Sequence, residues 1–441
     1  MSRESSHLIR ALRLPIQKFI HTEETGAIIL LMATAAALGL ANSPWSDRYF
    51  DFWHTYISVD IHIFALSEDL AHLVNDGLMA VFFFVVGLEI KRELLHGELS
   101  TLRKAALPVA AAIGGMAAPA LIYLAFNRSG EGAVGWGIPM ATDIAFALGV
   151  LALVGSRIPA ELRVFLLGLA VFDDLGAIAV IAIFYVDTIS WADLALGVSV
   201  FAAIVACVRL GVRSPAFYVI LWIIMWQFFL KSGVHATLAG VLAAAVVPSE
   251  PRIHRREYAA AVEGLLHEFR KAMADEDEDA AEAITEEIER LSRGTEGPME
   301  RLEGIIHPWV SFLILPVFAL ANAGIVFTSE TISEAMASSV TLGIAGGLLA
   351  GKVFGILGLT WLAVLLGVGA LPSAVSWRHV LGVAFLCGMG FTVSLFVSGI
   401  AFDDPALVDQ AKIGVFGASL LAGAAGYLLL RFTRDGHADT S

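Results

Sequence analysis

Five polar residues stand inside long apolar runs, where a charge costs ~2.5 to 3.5 kcal/mol even on the most lenient insertion scale. The run LLGLAVFDDLGAIAVIAIFY holds Asp173 and Asp174 near its middle. Successive helical positions differ by about 100°, so both can face one polar cavity only at a corner of a helix bundle. Two close carboxylates do not ionise together cheaply; a site built on them can hold protons or a small cation. The run GWGIPMATDIAFALG places Gly137 and Pro139 ahead of Thr142 and Asp143. Proline removes a backbone donor and disrupts a helix, so free carbonyls and amides could face a cavity there. Asp143 could then balance helix N-termini or a cation, with Thr142 adding an oxygen. A plain N-cap on a half-helix is compatible with either role. Lys352 lies in LGIAGGLLAGKVFGILGL with no acid of its own. A lysine at that depth needs a carboxylate partner, for which the aspartates are the candidates, or a depressed pKa, unless it snorkels to an interface. Gly388, Met389, Gly390, Phe391 and Thr392 mark a second unwound point, matching the first.

The elements that must position these groups are membrane spans. Of 441 residues, 57% are apolar and 16% charged, against about 25% charged in an ordinary soluble chain. A span needs about 20 mostly apolar residues, and twelve stretches qualify: 24–42, 70–90, 105–127, 134–154, 160–185, 192–209, 216–230, 232–248, 308–327, 338–366, 379–402 and 406–431. Cytoplasmic loops carry an excess of Lys and Arg. With both termini inside, 23 of the 28 basic residues fall in cytoplasmic segments and four in external ones, with Lys352 remaining. This predicts an all-α polytopic membrane protein, its spans grouped as 24–249 and 307–431. Residues 1–23 read as a cytoplasmic amphipathic segment lying on the membrane lipid, and 432–441 as a cytoplasmic tail.

Two segments interrupt this plan. The external loop 43–68 alternates Tyr56, Ile57, Val59, Ile61 and Ile63, a period-2 pattern that could form a β-hairpin and serve as a homodimer contact. The stretch 250–306 is a cytoplasmic insert. Within it, residues 250–303 hold 16 acids and 8 bases, with helical spacing on either side of the run 275–279, as expected of a solvated helical hairpin. The net charge of −14 is mostly this segment's property. With no basic stripe to neutralise phosphates, nucleic acid is excluded as a partner. Cys207 and Cys387 show no metal or disulfide spacing.

The strings VNDGLMAVFFFVVGLEIKREL, ATDIAFALGVLALVGSR, FDDLGAIAVIAIFY, KSGVHATLAG, HPWV and AGGLLAGKVFGI resemble the NhaA-type sodium/proton antiporter family. The resemblance covers roughly 22–249 and 300–432. It implies inverted-topology repeats with broken fourth and eleventh spans crossing near mid-membrane, in a bacterial inner membrane. It implies an activity that is not enzymatic and needs no cofactor: cytoplasmic Na⁺, or Li⁺, exchanged for external H⁺, electrogenic and regulated by pH. By motif, Asp173 and Asp174 match the residues that bind Na⁺ and exchange protons. Thr142 and Asp143 match the broken-helix pair, and Lys352 the buried lysine that compensates charge or carries a proton. Glu89, Lys91 and Glu303 match the pH-regulating funnel. Gly304 stands where related sequences can carry a histidine.

Three lesser features have local readings. His235 suits a packing histidine, His307 the start of a span, and Gly347 with Gly351 close helix packing. Two rivals to exchange are a proton-coupled carrier of a small organic solute and an intramembrane aspartyl protease. The first would line its cavity with aromatic or amide groups beside the aspartates, and none cluster there in sequence. The second needs aspartates brought from separate helices, whereas Asp173 and Asp174 are consecutive.

Overall fold

Apolar runs with few breakers become helices, and in this chain the breaks are as informative as the helices. A computed structural model describes residues 23–61, 64–97, 101–155, 158–186, 188–212, 215–251, 253, 255–275, 277–295, 297–372 and 374–433. The amphipathic segment expected at 1–23 falls almost wholly outside them, as does the tail beyond 433.

Helix α1 (Glu23–Ala41) is followed at a 118° bend by the short α2 (Ser46–Trp53). The hairpin forms, with β1 (Tyr56–Ile61) antiparallel to β2 (Phe64–Asp69) in a register running from Tyr56↔Asp69 to Ile61↔Phe64. It joins α3 (Leu70–Leu95) at Asp69, whose carboxylate accepts from the His72 amide at 2.8 Å and contacts the imidazoles of His72 and His54 at 2.7 and 3.2 Å. Burial pushes the Asp69 carboxyl up, but these bonds outweigh it and hold the group below the usual carboxylate range. The aspartate therefore stays ionised and keeps the hairpin fixed to the helix.

Next come α4 (Leu102–Phe126), a 3₁₀ helix (Glu131–Met140) bent by 41° from α5 (Ile144–Val154), and α6 (Ala160–Phe184). Three more apolar helices are α7 (Trp191–Arg209), α8 (Pro215–Ser232) and α9 (Thr237–Val246). The acidic insert is a hairpin of α10 (Arg255–Ala274) and α11 (Glu278–Gly294), with Asp277 capping α11 through the Ala280 amide at 3.0 Å. Helix α12 (Pro298–Asn322) starts inside the stretch read as insert, with proline in its first turn and charged Glu300 and Glu303 in its opening turns. Its polar start hid it from a hydropathy reading. After α13 (Ser329–Ala337) come α14 (Ser339–Leu365), the pair α15 (Trp377–Leu386) and α16 (Phe391–Ala401) bent by 46°, and α17 (Pro405–Phe432).

Among the described residues seven helices are individually long and apolar enough to cross a membrane, and three bent pairs and two shorter apolar helices accompany them. Outward faces are apolar as well: Trp191, Leu196 and Val198 on α7, and Leu420, Leu421 and Phe432 on α17, are exposed. Such surfaces suit lipid, where every backbone group must be paired within the helix. Helices α3, α12 and α14 each contain a π turn, at Leu73–Leu78, Val310–Ile314 and Gly347–Gly351.

The insert is stapled at its base. Met299 N donates to Pro248 O at 3.1 Å and Ile253 N to Gly294 O at 3.0 Å, while the buried Met299 packs with Leu88 and Ala244. The two ends of the hairpin are thus within bonding reach of each other. Deleting 255–293 and closing the gap with a short glycine link should leave the membrane domain folded. Its melting temperature by nanoDSF should stay within a few degrees of the parent, and Na⁺/H⁺ exchange should persist. Loss of folded protein from the membrane would show the insert to be structural.

Candidate ion-binding site

The two breaks meet. Asp143 N donates to Met389 O at 2.7 Å, the Ser394 hydroxyl to Ile138 O at 2.7 Å, and the Thr142 hydroxyl lies 2.9 Å from Cys387 O. Each broken helix therefore supplies partners for the other's open backbone, an accounting that buried polar groups require.

Asp143 caps two helices at once. Its Oδ1 accepts from Phe146 N in the first turn of α5 at 3.1 Å, and its Oδ2 from Thr392 N at 3.0 Å and the Thr392 hydroxyl at 2.5 Å at the start of α16. One carboxylate faces the positive ends of two half-helices, where an anion is favoured. The capping expected of Asp143 is present at both helices.

Lys352 performs the converse task. Its ammonium donates to Met140 O at 2.5 Å, at the end of the 3₁₀ helix, to Asp173 Oδ2 at 2.5 Å and to the Thr142 hydroxyl at 3.0 Å. Three donors meet three acceptors, so the buried cation is saturated. Thr142 in turn lies 2.6 Å from Asp173 Oδ2, and its single proton goes either there or to Cys387 O. The register of Lys352 is set by the π turn just before it and by glycine. A Cβ on Gly351 would come within 2.6 Å of the Pro119 Cα, and one on Gly347 within 2.7 Å of the Pro139 Cβ. The spacing of small residues thus serves close packing inside the fold, against α4 and the 3₁₀ helix.

The consecutive aspartates have different surroundings. Asp173 is fully buried against Lys352, and its Oδ1 has no hydrogen-bond partner among the described residues. Asp174 lines a cavity of about 540 Å³ together with Thr142, Asp143 and Thr392. Among the described residues no donor reaches the Asp174 carboxylate. The cavity continues past Phe82, Val86 and Leu315 to Glu89, Arg92, Glu300, Glu303 and His307 on the side of the insert.

Of the three funnel residues read from the resemblance, Glu89 and Glu303 line this mouth. Glu303 is ion-paired to Arg92, and His307 Nε2 lies 3.7 Å from Glu89. Lys91 is absent from the cavity wall. Its ammonium donates to Ala245 O at 2.7 Å and Val247 O at 2.6 Å, capping the carboxyl end of α9. His235 is not part of the cavity wall and lies beside Phe83, Ile178 and Ile181. Sequence reasoning did not assign a site role to Thr392, Arg92 or the Cys387 carbonyl. A hydroxyl immediately after the GMGF break, mirroring Thr142 after Pro139, was the available signal for the first.

One carboxylate thus faces the cavity, a second is paired with lysine, and a third is spent on helix ends. The sequence model of the Na⁺/H⁺ antiporter 1 family matches residues 17–430. The chain belongs to the NhaA family of Na⁺/H⁺ antiporters. It is 44% identical to the Na⁺/H⁺ antiporter NhaA 1 of Saccharophagus degradans, over 94% of this chain and 91% of the relative. It is 45% identical to NhaA 2 of Syntrophotalea carbinolica over 96% and 97%, and 46% identical to NhaA of Acidithiobacillus ferrooxidans over 94% and 97%. As in other members of the NhaA family, the protein is a transporter that passes through the membrane several times.

The packing of Gly351 generates a direct test. Gly351→Ala forces α14 away from α4, at ~1 to 3 kcal/mol for an overpacked core, and withdraws Lys352 from Asp173. Both the melting temperature and the exchange rate in proteoliposomes should fall. Wild-type values for both would show that the seam yields without moving the lysine.

Proposed function

We propose that Asp174 is the group at which Na⁺ and protons replace one another, in a carrier that exchanges Na⁺ for H⁺. The observation that carries the assignment is the Asp174 carboxylate, facing the cavity with no donor from the described residues. A protonated acid has no charge with which to hold the cation, whereas a carboxylate in a low-dielectric site attracts it strongly. Protons and Na⁺, or Li⁺, then compete for one place. Thr142, at the cavity wall, supplies a neutral oxygen beside it. The inward proton gradient reloads the acid from outside and Na⁺ is left there.

Asp173 and Lys352 supply a second titrating unit. Their pairing is the neutral arrangement, and protonation at the free Asp173 Oδ1 would release the lysine. With two protons returned per Na⁺ the cycle moves net charge. The mouth groups Glu89, Arg92, Glu303 and His307 are placed to adjust the local field with cytoplasmic pH, while Lys91 acts on it through the end of α9. A carrier of organic solutes finds no support in the match to the family.

The seven long helices, α1, the two broken pairs and the two shorter helices α8 and α9 together suit a count of twelve spans. We read them as two inverted repeats, whose broken members are the pairs that meet at Asp143 and Thr392. The insert and both termini then lie in the cytoplasm of a bacterial inner membrane, by the excess of basic residues on that side. The hairpin of β1 and β2 is the surface we assign to a homodimer contact.

Asp174→Asn should abolish exchange, since an amide neither ionises nor releases a proton. The variant should still fold, because the change removes a buried charge. In the parent the apparent Na⁺ affinity should weaken as pH falls, tracking the protons displaced. Undiminished Na⁺-driven proton movement in Asp174→Asn proteoliposomes would end the assignment. The orientation has its own check: Ala283→Cys, on the exposed side of α11, in a background lacking Cys207 and Cys387. It should resist an impermeant thiol reagent added to intact cells, and ready labelling would reverse the topology.

A further inference from the structure

We propose that Asn75 and Asn322 form a latch holding shut the face of the transporter opposite the insert, and that it must part for ions to leave there. The proposal rests on the exchange reading and extends it to a second pair of residues. The cavity runs along α3 between Phe82 and Arg92 and along α12 between Glu300 and Leu315. Beyond it the two helices are packed, with Met79 on α3 and Phe318 and Ala319 on α12 buried. At the far end of this packed stretch Asn322 Nδ2 donates to Asn75 Oδ1 at 2.8 Å, and lies 3.1 Å from Phe318 O in its own helix.

Each asparagine is anchored to a different group of helices. Asn75 lies in the π turn Leu73–Leu78, a local widening that displaces the regular i to i−4 pairing and is frequent at functional sites. The neighbouring carbonyl of Asp76 is taken by the Trp226 indole N–H of α8 at 2.9 Å. Asn322 ends α12, which is held from the other flank. The Tyr49 hydroxyl of α2 donates to Leu320 O at 2.5 Å, and the Asn42 amide donates to Ile325 O at 2.7 Å. The amide pair is therefore a seam between α3 with α8 and α12 with α1 and α2.

A neutral amide pair suits a seam that opens and closes. When the interface is closed Asn322 Nδ2 donates to Asn75 Oδ1, and when it opens water replaces either partner. An ion pair in the same place would have to be stripped of water at each closing.

The test is a reversible cross-link: Asn75→Cys with Asn322→Cys, in a chain whose Cys207 is replaced by Ser and Cys387 by Ala. Copper phenanthroline should form the disulfide. Exchange in proteoliposomes should then fall at least tenfold and recover on reduction, which also serves as the folding control. Equilibrium ²²Na⁺ binding by the oxidised protein in detergent should stay within twofold of the reduced form, since the cavity on the insert side is untouched. Exchange within twofold of the reduced protein at complete cross-linking would overturn the latch, and so would failure to cross-link, because the adjacency itself would be wrong. A parent chain that moves no protons on Na⁺ addition would instead overturn the exchange reading.

Discussion

Two helices broken inside an apolar bundle leave backbone ends that lipid cannot hydrogen-bond, and the rest of the site depends on how those ends are met. Asp143 takes the two amino ends through Phe146 and Thr392, and Lys352 takes the carbonyl end at Met140. Lys352 is at the same time paired with Asp173 at full burial. Removing one partner of a buried pair costs ~3 to 5 kcal/mol, largely because the other is left uncompensated. The breaks and the charges therefore depend on each other. The breaks supply Asp143 with amides and Lys352 with one of its three acceptors, and those charges in turn satisfy the open backbone ends.

This arrangement divides three carboxylates among three duties. Asp143 is bound by three donors and serves the backbone. Asp173 gives one oxygen to Lys352 and Thr142 and keeps the other unpaired. Asp174, one position later on α6, turns to the cavity. The separation follows from helix geometry, since about 100° between neighbours is enough to put one side chain in the seam with α14 and the other in the open space.

Much of this was legible in the sequence because charge in an apolar run is conspicuous. Asp143, Asp173, Asp174 and Lys352 stood out for that reason, and Pro139 and the GMGF string located the breaks. The pairing was less legible. That Lys352 meets Asp173 rather than Asp174 is decided by the π turn at Gly347–Gly351 and by the approach of Gly351 to Pro119, and no periodicity reports those. The polar opening of α12 concealed its start at Pro298, since the groups that face the mouth of the cavity look like those of a solvated insert. Lys91 shows the limit of motif matching. It lies beside two residues of the cavity wall, yet its side chain runs to the carbonyls of Ala245 and Val247. The contribution of Cys387 is a backbone oxygen, which side-chain chemistry does not reveal.

Helix α3 is 26 residues long, a rod of about 39 Å at 1.5 Å per residue. At one end Asp69 fastens it to the hairpin, and near the other Glu89 and Arg92 border the cavity. A rod fastened in this way ties the hairpin to the mouth of the cavity through one element. Any force on the hairpin is therefore borne by the same helix that lines the cavity and carries Arg92 to Glu303.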